Sequence, residues 1–167
     1  MKTLLNEFIS RRVDYCNSVF NGTDAVHLRP IQSVLNESAR LIVKKRKFDQ
    51  ITATIRDELH WLPVQQRIDY KLCNLIYKCL QHSAQSYVSS VCIRVGEIKG
   101  RLHRSAARGD LLVLRTNNKT YESRCFAVAG PSVWKSLPLA ATDYDLTLPA
   151  FHKLLKIELF RFAYTAS

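Results

Sequence analysis

Residues 59–80 read LHWLPVQQRIDYKLCNLIYKCL, and this stretch decides the fold. Pro63 suits the first turn of a helix, where its missing N–H would have no intrahelical partner and its φ is preset. Beyond it Ile68, Leu72, Leu75, Ile76 and Cys79 recur at helical spacing, which puts them on the inward face of a long helix. Ahead of it, His60-Trp61-Leu62-Pro63 forms a compact aromatic phrase that a buried junction between two helices explains without catalysis.

The same periodicity extends towards the N-terminus. Leu4, Leu5, Phe8, Tyr15, Cys16 and Val19 predict a helix that Asn21-Gly22 ends. Thr23-Asp24 caps a second, with Leu28, Ile31, Leu35, Ala39 and Ile42 at heptad-like intervals; Pro30 disturbs its first half, so its regular part is expected from about Arg29. Thr52 caps a short helix carrying Ile55 and Leu59. Past Ser83 the pattern changes. Tyr87 to Val91 reads as another short helix, Gly96 to Arg108 as a basic loop, and Leu111-Leu112-Val113-Leu114 as a strand turning at Asn117-Asn118 towards a partner near Lys119 to Tyr121. Phe126, Ala129, Val133, Trp134 and Leu137 return to helical spacing across Gly130-Pro131. A last helix opens near Thr147-Leu148-Pro149 and buries Phe151, Leu154, Leu155, Leu159 and Phe162.

With 167 residues, 47% of them hydrophobic, and five each of Gly and Pro, the composition suits one globular domain and excludes a disordered chain. The expected architecture is mainly α: a single domain over 1–167, helical through 92, a basic loop with at most a small β-hairpin near 111–121, and helical again from 122 to 164. No repeat or linker divides it. No apolar run is long enough to span a membrane. The five cysteines, at 16, 73, 79, 92 and 125, are scattered without the close pairs of a disulfide scaffold and read as reduced thiols, and the first residues make no credible export signal. An intracellular protein, nuclear or cytoplasmic, is expected.

The net charge is +11, which favours an anionic partner. The excess is local. Arg40, Lys44, Lys45, Arg46 and Lys47 place five cations in eight residues, and residues 99–124 carry seven against two acids, at Lys99, Arg101, Arg104, Arg108, Arg115, Lys119 and Arg124. The first cluster closes a helix, whose dipole favours a cation by about 0.3–1 kcal/mol; five exceed what a cap requires, and phosphate contact is the commonest reason for such crowding. The second set reads equally as a nucleic-acid contact or a solvated face.

Catalytic chemistry is not legible. Asp57-Glu58 straddles a short helix and Asp143-Tyr144-Asp145 lies before the last one, so capping or solvent exposure accounts for both pairs. Cys73, Cys79 and His82 share a helix at spacings of six and three, unlike zinc ligands presented in close pairs from turns. No phosphate loop, nucleophile elbow or H-E-x-x-H is present. The sequence therefore offers no catalytic or metal-binding residue, no cofactor and no small-molecule substrate.

Five phrases in order carry a resemblance. Arg11-Arg12-Val13-Asp14-Tyr15-Cys16-Asn17-Ser18, then Gln32, Asn36, Ala39, Arg40 and Leu41, then Leu59 to Val64 with Arg67-Ile68 and Lys71-Leu72, then Phe126 to Pro138, and finally Phe151 to Lys156, together resemble the region that follows the polymerase domain in the reverse transcriptase of non-LTR retrotransposons, in the jockey-like and Rex-like branch. Lys135, Pro30 and Ser38 depart from that pattern. The resemblance implies the C-terminal remainder of such a protein, without endonuclease or palm aspartates, and therefore no enzyme by itself. It also implies an RNA or DNA partner held through the basic patches, and contact with the upstream polymerase domain. The alternatives are a structural or protein-interaction lobe that packs on the polymerase, or a decayed element fragment.

Overall fold

The computed structural model describes residues 7–8, 11–97, 111–114, 124–143 and 145–165. It is mainly helical, as the periodicity predicts. Among the described residues the named helices, in chain order, are α1 (Ala25–Val43), α2 (Thr52–Asp57), α3 (Val64–Leu80), α4 (Ser86–Ser89), α5 (Phe126–Ser136) and α6 (Leu148–Thr165); short 3₁₀ turns lie at Asn17–Phe20, ahead of α1, and at Val95–Glu97 and Leu139–Ala141.

The helix predicted from 59–80 is the centre of the molecule. Pro63 sits at its N-cap, and the first free backbone N–H, on Val64, donates to the Gln32 side-chain carbonyl of α1 at 2.9 Å. This bond satisfies a helix-start donor and joins two helices far apart in sequence. Burial is not confined to one stripe. Ile68 and Leu72 pack with Leu28, Leu35, Ala39 and Ile42 of α1, Ile51, Ile55 and Trp61. Cys73, Ile76, Tyr77 and Leu80 pack instead with Leu62, Leu111, Trp134, Leu137, Phe151, Leu155 and Leu159. The core is thus two clusters on either side of α3, with Phe126 and Val133 touching both. Leu75, expected inside, is only half-buried.

The Gly130-Pro131 interruption does not break α5. A Cβ on Gly130 would meet Ile76 Cδ1 and Phe126 Cε2, each at 3.1 Å, so the glycine lets α5 lie close on α3. Pro131, next in the chain, is fully buried, and its packing offsets a proline cost of about 3 kcal/mol. Pro30 does not delay α1 to Arg29 as expected: the helix starts at Ala25, ahead of it, and carries Pro30 on its exposed side.

Three further expectations are corrected. Phe162, which its spacing placed inside, is exposed on α6. The first predicted helix does not run unbroken to Asn21. Positions 11–14 are helical, Cys16 takes left-handed φ of 52°, and a 3₁₀ turn follows, leaving Phe8, Tyr15 and Val19 exposed. The strand at Leu111 pairs with Arg94 in an isolated antiparallel bridge, and Leu112 N–H donates to Ile93 C=O at 2.8 Å. The partner expected near 119–121 lies outside the described residues. Burial of the Leu111 side chain against the α3–α6 cluster selects this pairing.

Asp69 on α3 is the clearest source of pH-dependent stability. Burial pushes its carboxyl from 3.8 up to about 6, opposed only by the Gln65 amide donating at 3.3 Å. The folded chain therefore holds a proton that the unfolded chain releases, and this contribution is complete below about pH 4 and lost as pH rises through about 6. Asp69→Asn should remove the loss and stabilise the protein at pH 7.5 by up to about 2 kcal/mol, discounted for partial exposure. Urea unfolding of both proteins at pH 5 and 7.5 checks this; parallel pH responses would show that Asp69 does not contribute.

Candidate nucleic-acid interface

The basic cluster at the end of α1 is a built turn. Lys44 closes the helix in the left-handed conformation, φ 57°, and the N–H groups of Lys44 and Lys45 both donate to Arg40 C=O. This is the usual way of satisfying terminal carbonyls. The next four residues form a tight turn closed twice: Asp49 N–H donates to Arg46 C=O at 3.2 Å, and Arg46 N–H donates to the Asp49 carboxylate at 2.9 Å. Lys47 and Phe48 occupy its two central positions, at the tip.

The five cations divide by role. Arg40 has a side chain only 17% exposed; its Nε and Nη2 donate to Asp49 C=O at 3.3 and 3.2 Å, and its Nη1 to Glu37 at 3.0 Å. It staples the turn to the helix, and the charge is balanced locally. Lys45 Nζ donates to the Thr54 hydroxyl of α2 at 2.6 Å, anchoring the turn on its other side. Lys44, Arg46 and Lys47 are exposed, and they are the cations the turn presents outward. The Asp49 carboxylate caps the Arg46 backbone N–H, and among the described residues no ion pair joins it to these three side chains.

Of the second basic set only Arg124 is among the described residues, and it stands apart from this turn. Lys99, Arg101, Arg104, Arg108, Arg115 and Lys119 lie outside the described residues. Arg124 is half-buried, with its Cγ 3.2 Å from where a Cβ on Gly22 would stand. Gly22 has a positive φ of 68° and precedes α1, whereas the basic turn follows it. The 19 residues of α1 span about 28 Å at 1.5 Å per residue, so Arg124 and the turn occupy opposite ends of that helix.

No family model, curated protein or solved structure matches this chain.

The remaining polar residues take structural places. Asp57 pairs with Arg56 at 2.7 Å, which holds its carboxyl below the usual range, and Asp143 accepts from Asp145 N–H at 3.2 Å. Cys73 and Cys79 are core residues while His82 is exposed. Burial raises the Cys73 thiol, with Asp69 adding to the effect. Burial also pushes the Cys92 thiol up to about 12, with neighbouring Cys79 second. Among the described residues no three His, Cys, Asp or Glu side chains gather as metal ligands do, and no helix is long and apolar enough to cross a membrane. In the aromatic phrase at 60–63, Trp61 and Leu62 are buried and His60 faces outward with φ of 50°.

Sequence reasoning missed Phe48, which is 93% exposed. Its signal was available as an aromatic directly following Lys44-Lys45-Arg46-Lys47, but nothing in the spacing said whether the ring turns inward.

Proposed function

We propose that this chain is a non-catalytic nucleic-acid-binding segment, derived from the region that follows the polymerase in a non-LTR retrotransposon reverse transcriptase, and that it holds RNA or DNA by its phosphates. The observation that carries the reading is the turn after α1. Lys44, Arg46 and Lys47 are exposed on a hydrogen-bonded scaffold in which three outward cations face one carboxylate, Asp49, that accepts a backbone N–H of the turn. Cations held this way meet a polyanion without first ordering the loop, and such contacts position the partner without reading its sequence.

Lys44→Gln, Arg46→Gln and Lys47→Gln combined leave Arg40, Lys45 and every backbone bond of the turn in place. The slope of log K against log salt should flatten by about 2 to 3, at roughly 0.7 to 0.9 for each phosphate that the protein ceases to neutralise. Filter binding of the same nucleic acid over the same salt range measures it, with thermal stability nearly unchanged as the control. An unaltered slope in a folded variant would remove phosphate contact from this turn.

A second reading is favoured by the outer face of α1. Val26, Val34 and Leu41 lie exposed at helical spacing, opposite the buried Leu28, Leu35, Ala39 and Ile42. An apolar face of this kind suits a lobe that packs against the polymerase domain, and an unaltered salt slope would shift the weight to it.

A further inference from the structure

We infer that Phe48 is a stacking platform for an unpaired base, so that the turn after α1 takes single-stranded nucleic acid in preference to duplex. The inference rests on the proposed nucleic-acid reading and adds the class of strand.

Phe48 is the most exposed of the large hydrophobic residues among those described, at 93%, and it sits at the tip of the Arg46–Asp49 turn beside Lys47. Leaving a phenyl ring in water forgoes the gain of burying it, about 1.5–3 kcal/mol. The chain could recover that gain if the turn relaxed, yet hydrogen bonds hold the turn in shape from every side: the two that close it, the Arg40 fork on Asp49 C=O and the Lys45–Thr54 bond. The scaffold thus fixes the ring outward among exposed cations at positions 44, 46 and 47.

The chemistry that suits this arrangement has a flat apolar face and a negative charge close by. A nucleotide has both, since every base offers a π-face and every linkage a phosphate. A purely apolar protein partner would have to desolvate the flanking cations without compensation. In a duplex the base faces are covered by their neighbours, so a ring projecting from a short turn reaches a face only where bases are unpaired. Sequence preference is not expected, because stacking tolerates all bases and the flanking groups contact the backbone.

The test uses the full chain with 20-mer oligo(U), oligo(dT) and a 20-base-pair DNA duplex, read by fluorescence anisotropy at one salt concentration and then across a salt series. Phe48→Ala should weaken binding to a single strand by about 5- to 150-fold, the loss of one stacked base, while duplex affinity and the salt slope stay as they were. The two single strands distinguish RNA from DNA as its source, and Phe48→Trp should retain affinity and show emission quenched on binding. The melting temperature of Phe48→Ala should equal that of the parent chain. Equal losses on duplex and single strand would overturn the inference, as would unchanged single-strand affinity in Phe48→Ala. So would a change of oligomeric state in Phe48→Ala seen by sedimentation, which would make the ring a protein contact. If the Lys44, Arg46 and Lys47 triple variant still flattens the salt slope while Phe48→Ala does nothing, stacking fails and phosphate binding stands; if neither variant has an effect, the nucleic-acid reading itself fails.

Discussion

Phe151→Ala should cost about 3 to 5 kcal/mol of folding stability, the range for truncating a large core aromatic. Phe151 is fully buried. Its ring stacks on Tyr77 of α3 with centroids 4.4 Å apart and planes at 15°, and tilts against Trp134 of α5 at 5.7 Å. One side chain of α6 therefore holds three helices, and its removal leaves a cavity that rigid neighbours on three sides cannot collapse into. The Tyr77 hydroxyl donates to Leu146 C=O just before α6, which fixes the ring that Phe151 stacks upon. Since a domain of this kind is stable by about 5–15 kcal/mol in total, the variant should approach the unfolding threshold. Urea titration with an unchanged m-value measures it, and Phe151→Leu should lose much less. A cost under about 1 kcal/mol would mean that α6 does not dock through this ring.

The second large effect is expected at Arg67, where α3 meets the segment before α1. Its Nη1 donates to both carboxylate oxygens of Asp14 at 3.0 and 3.1 Å, its Nε donates to Leu62 C=O at 2.9 Å, and the guanidinium lies 5.8 Å from the centre of the Trp61 ring. The arginine side chain is 11% exposed and the aspartate 29%. Breaking a buried pair usually costs 3–5 kcal/mol because the surviving charge is left without compensation; with Asp14 partly wet, about 2 to 4 is expected for Arg67→Ala. Arg67→Lys should recover little, since an ammonium cannot fork between Asp14 and the Leu62 carbonyl while covering the Trp61 face. A double-mutant cycle with Asp14→Asn isolates the ion pair, and hydrogen exchange should report loosening of positions 11–20 in Arg67→Ala. Additive single effects would show that Asp14 is not coupled to Arg67.

The two basic groups show how far a candidate site can be read from a chain. Five cations in eight residues mark the end of α1 as unusual, and their crowding is plain from the residues alone. Their division of labour is not. Arg40 has the guanidinium fork that Lys44 lacks, and its place on the helix aims that fork at the Asp49 carbonyl nine residues on. Lys45 meets Thr54 in the same way. Phe48 could have completed a staple against α1; two bonds of the Arg46–Asp49 turn hold it outside instead.

Periodicity by itself determined where the long helices lie. Apolar residues at three- and four-residue intervals predict the helix 64–80 and the one opening near 148, because a helix turns 100° per residue and burying one face stabilises it whatever that face meets. Charge counting likewise located the basic turn, since formal charge needs no coordinates. Only the tertiary structure decided which faces meet. Tyr77 and Cys73 lie beside the Ile68–Leu72 stripe of α3 and are buried because a second layer, α5 and α6, covers that side. Leu111 pairs with Arg94 because the cluster that buries its side chain stands there. Pro131 remains inside a helix because its full burial outweighs the missing hydrogen bond. Each of these outcomes is a balance between a local preference of a few kcal/mol at most and contacts from residues distant in sequence, and such contacts exist only once the chain has folded.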